Sequence, residues 1–242
     1  MVIARVYGGV IDFGSEVRAE DRGRVVPAPL ASYVVRHRQR DPRQVGLLAF
    51  LAPPSLRWVV RHRAWSPFHL GCYWRFLVLK VRHPDVVTEG FVYLGRRVEL
   101  SARPGYGRIV LGRWVHLGDG TRLRAHEGTL RIGDKSVFGR DNTVNCYLDI
   151  EFGARCLVAD WVYVCDFDHK FDDLEVAIKD QGIVKAPVRI GPDVWVGVKA
   201  SILGGAMVGV GSVLAALTVL RGEVPAWSVV AGAPGRVVRS RR

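Results

Sequence analysis

The sequence predicts an all-β chain wound into a parallel β-helix, three short strands to a coil, behind a short N-terminal helical segment. Three features predict it: aliphatic residues that recur every six positions, a small residue two positions ahead of each, and a longer interval after every third repeat. Ile190, Val196, Ile202, Val208, Leu214 and Leu220 form the longest unbroken series, preceded by Val188, Val194, Ala200, Ala206, Ser212 and Thr218. On an α-helix a six-residue step turns by about 600° and scatters such side chains around the surface. On a strand, residues two apart share a face, so each aliphatic residue and its small partner point inward together and a corner follows.

The series extends backward as Phe152, Val158 and Val164, as Ile132, Phe138 and Val144, and as Leu111, Leu117 and Leu123, with Leu94 and Leu100 in a first turn. Breaks after each triplet give a triangular prism whose faces are parallel sheets. A glycine follows the inward aliphatic residue at 95, 112, 118, 133, 139, 153, 191, 197 and 209, where a missing Cβ is expected to ease a bend. Coils stacked about 4.8 Å apart bury their aliphatics against one another, and both ends of such a solenoid need a cap.

Ahead of the repeats, Ser55 and the Ser66-Pro67 pair mark helix starts. Helices are expected over Leu56–Ala64 and Phe68–Arg82, closed by Pro84. The domains are then an N-terminal extension over 1–45, a basic and aromatic helical cap over 46–84, the β-helix over 85–238 with a loop at 165–187, and a basic tail over 239–242. Trp65, Phe68, Tyr73, Trp74 and Phe76, beside Arg75, Lys80 and Arg82, suit either a cap on the first coil or peripheral contact with a membrane interface.

Composition narrows the function. At 49% hydrophobic and 24% charged the chain is an ordinary globular protein. The longest apolar stretch, Val45–Ala52, is far shorter than the roughly 20 residues of a membrane span. Polar residues interrupt every early apolar run, so a cytoplasmic location is expected. Cys72, Cys146, Cys156 and Cys165 lack metal-ligand or disulfide spacing and read as reduced, packed thiols, with Cys165 a remote candidate nucleophile. The net charge of +12 is uneven: residues 1–84 carry 14 basic and 5 acidic side chains. That asymmetry suits an anionic neighbour, but no nucleic-acid-binding signature accompanies the arginines.

The interval from Val164 to Ile190 is much longer than the rest, and a loop ejected from a compact repeat usually carries function. It holds His169 among Asp166, Asp168, Asp172 and Asp173. Imidazole has the near-neutral pKa that a general base for a hydroxyl requires. Asp180 or Glu127 are candidates to orient it.

From about Leu94 to Val238 the sequence resembles the hexapeptide-repeat, or isoleucine-patch, acyltransferases, and among them the sugar O-acetyltransferase branch. The resemblance is carried by Asp168-His169, Lys179-Asp180-Gln181-Gly182, Pro187-Val188-Arg189-Ile190-Gly191, Val194-Trp195-Val196-Gly197, Val224-Pro225 and Ala231-Gly232-Ala233-Pro234. It implies a left-handed β-helix, a homotrimer, acetyl-CoA as acyl donor, a sugar or glycolipid hydroxyl as acceptor, no metal, and His169 as catalytic base. It further implies an acceptor site at Asn145, or at Asn142, with Asp149 nearby. The coenzyme A arm would lie along Trp195, Lys199, Ala200 and Thr218, with Arg221 and Arg236 near its phosphates. Arg221-Gly222-Glu223 stands where family members often have Thr-Lys-Asp, so Arg221 is expected to replace the lysine. Two other readings use the same fold: a metal-dependent hydratase like the β-helical carbonic anhydrases, with His116, His126 and His169 as ligands, and a scaffold without catalytic activity.

Overall fold

The computed structural model describes residues 57, 60–61, 65–83 and 85–242. The extension expected over 1–45, and most of the helix expected over Leu56–Ala64, lie outside these residues. The chain from 86 onward climbs as a left-handed parallel β-helix of about six turns. Each full coil gives one strand to each of three parallel sheets. Sheet A holds β1 (Val86–Thr88), β4 (Gly107–Leu111), β7 (Gly128–Ile132), β10 (Asp149–Phe152), β15 (Val188–Ile190), β18 (Met207–Val208) and β21 (Glu223–Val224). Sheet B holds β2 (Tyr93–Leu94), β5 (His116–Leu117), β8 (Val137–Phe138), β11 (Leu157–Val158), β16 (Trp195–Val196), β19 (Val213–Leu214) and β22 (Ser228–Ala231). Sheet C holds β3 (Glu99–Ala102), β6 (Arg122–Ala125), β9 (Thr143–Cys146), β12 (Tyr163–Cys165), β17 (Ser201–Ile202) and β20 (Val219–Leu220).

Register is strict: Leu111 lies under Ile132 and Ile132 under Phe152, and Leu123, Val144, Val164, Ile202 and Leu220 form one column. Every aliphatic residue of the six-residue series is buried, none more than 5% exposed. The small partners fill the corners. Ser136 accepts a hydrogen bond from Cys156 N–H and donates to Gly153 C=O, and Ser212 does the same between Ser228 and Pro225. These hydroxyls satisfy corner backbone groups that would otherwise be buried unpaired.

The three corners differ. Where sheet A passes to sheet B, Trp114, Lys135, Arg155, Asp193, Gly211 and Trp227 stack in the left-handed region, with φ from 58° to 66°. Where sheet B passes to sheet C, Arg97, Gly120, Asp141, Trp161, Lys199 and Leu217 do the same. A side chain at such φ costs about 1–2 kcal/mol. Apart from Arg97 in the first coil, each of these residues donates its N–H to a carbonyl one coil below, such as Lys135 to Arg113 and Lys199 to Asp160. The third corner, from sheet C back to sheet A, has no such rule and varies in length.

The glycines behind the inward aliphatics are not there for bending, because none of the nine has positive φ. A Cβ on Gly153 would lie 2.4 Å from the backbone nitrogen of Pro192, and one on Gly133 2.6 Å from that of Ala154. The next coil presses on them directly.

Helix α1 (Pro67–Arg82) closes the lower end. It begins at Ser66 and Pro67 as expected and buries Cys72, Phe76 and Leu79 on the first coil. Phe91 packs against Tyr73, Phe76 and Tyr93, and Arg75 donates to Leu94 C=O at 2.6 Å. At the other end β23 (Arg236–Ser240) turns back antiparallel on β22 and covers that edge. Among the described residues no helix is long and apolar enough to cross a membrane.

Gly153→Ala is expected to lower the melting temperature sharply, since overpacking costs about 1–3 kcal/mol. Gly105→Ala, at φ 77° with nothing within 4 Å of its Cβ, carries only the backbone strain. Equal melting shifts for the two would show that the coil contact is not what excludes the side chain.

Candidate active site

The long insertion leaves the solenoid at its third corner, between β12 and β15. It rises as an antiparallel hairpin of β13 (Phe167–His169) and β14 (Ile183–Lys185), with His169 opposite Ile183. The tip is folded on itself. The Gln181 amide accepts from Asp173 N–H and donates to the carbonyls of Asp173 and Val176, beside a 3₁₀ turn at Ile178–Asp180. A long loop with this much internal bonding presents its residues in a fixed geometry.

Asp166 holds the base of the hairpin. Elsewhere in the prism, corner N–H groups find carbonyls in the coil above: Arg103 donates to Ala125 C=O and His126 to Cys146 C=O. Above the Tyr147–Asp149 corner the coil has been ejected, and the missing carbonyls are replaced by one carboxylate. Asp166 Oδ1 accepts from Tyr147 N–H at 2.7 Å, and Oδ2 from Leu148 and Asp149 N–H at 2.8 Å each. Its side chain is fully buried, and its own carbonyl accepts from Ala186 N–H to close the loop base. Three N–H groups converging on a carboxylate make strong, charge-assisted bonds. The sequence marks Asp166 only as one acid near a histidine. Its place one rung above a tight corner is the signal that could have singled it out.

A ladder of rings climbs the same corner, with His126, Tyr147 and Phe167 from three successive turns and His169 beside Phe167 on β13. His126 stacks on Tyr147 at 4.6 Å, Phe167 meets Tyr147 edge-on at 4.6 Å, and His169 meets Phe167 edge-on at 6.2 Å. Lys185 lies 5.7 Å over the Tyr147 ring and pairs with Glu127. His169 ends the ladder with an exposed imidazole. Beside it, Asp168 accepts an ion pair from Arg221 at 2.7 Å, which ties the hairpin to the corner two coils higher.

The structure thus brings together His169, Asp168, Arg221, Lys185 and Glu127 on one edge of the prism. Neither candidate orienting carboxylate reaches the imidazole: Glu127 is held by Lys185, and Asp180 pairs with its neighbour Lys179 at the loop tip. Asn145 does face outward from sheet C, one rung below Cys165, with its amide 3.5 Å from Tyr163 Oη. Asn142 does not. It is buried in the prism, where its Oδ1 accepts from Val162 N–H at 2.7 Å, so it cannot meet an acceptor. Asp149 is bound by Arg131 at 2.8 Å and by Arg189 at 2.5 Å on sheet A.

Of the residues assigned to coenzyme A, Trp195 and Lys199 are exposed on sheet B and its corner with sheet C, and Arg236 is exposed on β23. Ala200 and Thr218 are fully buried. They occupy the inward small position of the six-residue period, so their side chains line the core and not a groove. Cys165 is also corrected: it is buried, its thiol points to Phe167 C=O, and burial raises its pKa. The same cause, with Asp166 adjacent, pushes Cys146 up to about 12. The three histidines of the zinc reading do not converge. His116 lies on sheet B stacked on Tyr93, while the rings of Tyr147 and Phe167 separate His126 from His169. Among the described residues no three His, Cys, Asp or Glu side chains gather to hold a metal ion.

The left-handed parallel β-helix, interrupted by one ejected hairpin, matches the fold of the β-helical acetyltransferases. Known proteins give the same class. The chain is 52% identical over 215 residues to the probable acetyltransferase Rv3034c of Mycobacterium tuberculosis, covering 89% of this chain and 71% of that protein. It is 30% identical over 147 residues to WbbJ of Escherichia coli K12, a putative lipopolysaccharide biosynthesis O-acetyl transferase, covering 55% and 72%. Among solved structures, a variant of the Bacillus cereus N-acyltransferase AntD, crystallised with dTDP and coenzyme A, superposes with a TM-score of 0.58 at 17% identity. That match covers 69% of this chain and 89% of AntD and speaks for the fold. No protein-family model matches the sequence. The chain belongs to the hexapeptide-repeat acetyltransferases.

Asp166→Asn keeps the shape but turns an NH₂ toward backbone donors; with unmet buried groups costing about 1–3 kcal/mol each, the expected loss is about 3 kcal/mol. Thermal unfolding checks it, and an unchanged melting temperature would remove Asp166 as the anchor. A raised thiol pKa leaves the neutral form dominant at pH 8. Cys146 and Cys165 are therefore expected to resist alkylation in the native protein and to react only on unfolding, as read by mass spectrometry.

Proposed function

We propose that the chain is an acetyl-CoA-dependent O-acetyltransferase that acts on a hydroxyl of a sugar, glycan or glycolipid by direct transfer, with His169 as general base. The observation that carries this reading is the exposed imidazole of His169, set on a rigid hairpin at the one irregular corner of the prism. The kinship to a putative lipopolysaccharide O-acetyl transferase supports a sugar acceptor. The AntD complex, with coenzyme A on the same fold, supports the donor.

In this reading His169 takes the acceptor proton as the hydroxyl oxygen attacks the thioester carbonyl. Polarised donors stabilise the developing oxyanion. The C–S bond then breaks, the new C–O bond remains, and the proton passes to the departing coenzyme A thiolate. Asp166 and the ring ladder fix the imidazole, which spares the reaction the entropy of positioning its base. Lys199, Arg221 and Arg236 supply positive charge for the coenzyme's phosphates. Asn145 is the acceptor-side candidate.

The enzyme works as a homotrimer in the cytoplasm, with peripheral membrane contact. The trimer is supported by apolar side chains left open along one edge: Leu157, Trp161, Trp195 and Leu217 are each about half exposed or more. Packed side by side, a neighbouring copy would bring Trp195 and Lys199 toward the His169 hairpin.

His169→Ala should reduce thiol release from acetyl-CoA by about 10²–10⁴-fold in the presence of an accepted sugar. The assay runs both proteins across a panel of sugar and glycolipid acceptors. Equal release by the two would take His169 out of the mechanism.

A further inference from the structure

Helix α1 has two apolar faces and the first coil covers only one. Cys72, Phe76 and Leu79 face inward. Leu70, Trp74, Leu77 and Val81 follow the i, i+4, i+7, i+11 spacing of a single stripe on the other side, and they are 40% to 74% exposed. Trp65, just before the helix, is exposed as well. A monomeric surface seldom leaves such a stripe open without a partner.

Charge selects the partner. Between Asp41 and Asp85 the sequence holds no Asp or Glu, against seven Lys and Arg. Arg82 and His83 are exposed at the C-terminal end of the helix, and Arg57 and Arg61 are exposed in the sequence that precedes it. Arg75 does not join them, since it turns inward to Leu94 C=O. A second copy would bring like charge against like charge. Residues 1–41, with seven basic and five acidic side chains, offer no complement either. An anionic lipid surface fits both features, as it takes up Trp and Leu at headgroup depth and attracts arginine at the rim.

We propose that the outer stripe of α1, formed by Leu70, Trp74, Leu77 and Val81 with Trp65, docks the protein on an anionic phospholipid bilayer, with the flanking arginines meeting the headgroups. The surface gives the membrane contact of the proposed function a location. Coils about 4.8 Å apart put the His169 hairpin on the order of 20 Å above this face, at a height that suits the hydroxyls of a glycolipid headgroup.

The test is flotation of the full chain with phosphatidylcholine vesicles, with and without phosphatidylglycerol, for the wild type and for the double variant Trp74→Ser, Val81→Ser. These exposed positions leave the core intact, which circular dichroism and thiol release with a soluble acceptor verify. The wild type is expected to float with anionic vesicles, to stay down with neutral ones, and to be released by high salt. The double variant is expected to lose about tenfold in partitioning. No flotation of the wild type, or equal flotation of the two proteins, overturns the proposal. So does a change in sedimentation velocity with no change in flotation, which would assign the stripe to a second copy, and so does a fall in melting temperature alone, which would assign it to the chain's first residues. Because flotation needs no acyl transfer, failure of the enzyme reading leaves this result untouched, and the reverse also holds.

Discussion

The structure depends on vertical hydrogen bonding between coils. A six-residue side is too short to satisfy its own backbone, so each strand donates to the coil above and the left-handed residue at two of the corners donates to the coil below. Buried N–H and C=O groups left unpaired are costly, and this ladder leaves few alternatives. It fixes the register of every inward aliphatic column. It also demands that glycine stand where the next coil's backbone comes within 2.4–2.9 Å of a Cβ position, as at Gly112, Gly133 and Gly153.

That constraint also says where an active site can be built. At two corners, the stacked left-handed residues bond downward through almost every turn, and removing one coil's corner would orphan its neighbours. Only the third corner is free of that chain of dependence, and there the intervals vary. Even there, ejecting a coil strands the N–H groups beneath it. Asp166 resolves this by supplying two carboxylate oxygens to three donors. The anchor of the hairpin and the repair of the ladder are one side chain, and the imidazole is held three residues away from it.

Much of the prism was legible from the six-residue period, because burial in a stacked coil is repetitive and leaves a repetitive trace. The same period also sets the direction of two side chains near which the resemblance places the coenzyme A arm. Ala200 and Thr218 sit two before an inward aliphatic residue and are buried, and Asn142 follows the same rule ahead of Val144. Handedness and the two stacked left-handed corners were not legible, since Trp, Lys, Asp and Leu all occupy them and share no chemistry. The loop was visible as an interruption and His169 as its one imidazole. The ion pair of Asp168 with Arg221 was not, because residues 53 positions apart in sequence meet only after the coils are stacked.

The two ends of the solenoid face the same problem, an unpaired layer, and solve it differently. At the top, β23 supplies another strand and completes the ladder with backbone. At the bottom, α1 offers no free backbone groups, so it covers the first coil with side chains and spends one hydrophobic face in doing so. A cap that needed only to cover would have carried polar residues on its outer face, as end units of solenoids do. Here the outer face is apolar in register and lies within a stretch that has arginine but no acid. Capping explains Cys72, Phe76 and Leu79; it does not explain the exposed stripe of Leu70, Trp74, Leu77 and Val81, which the proposed lipid surface would cover.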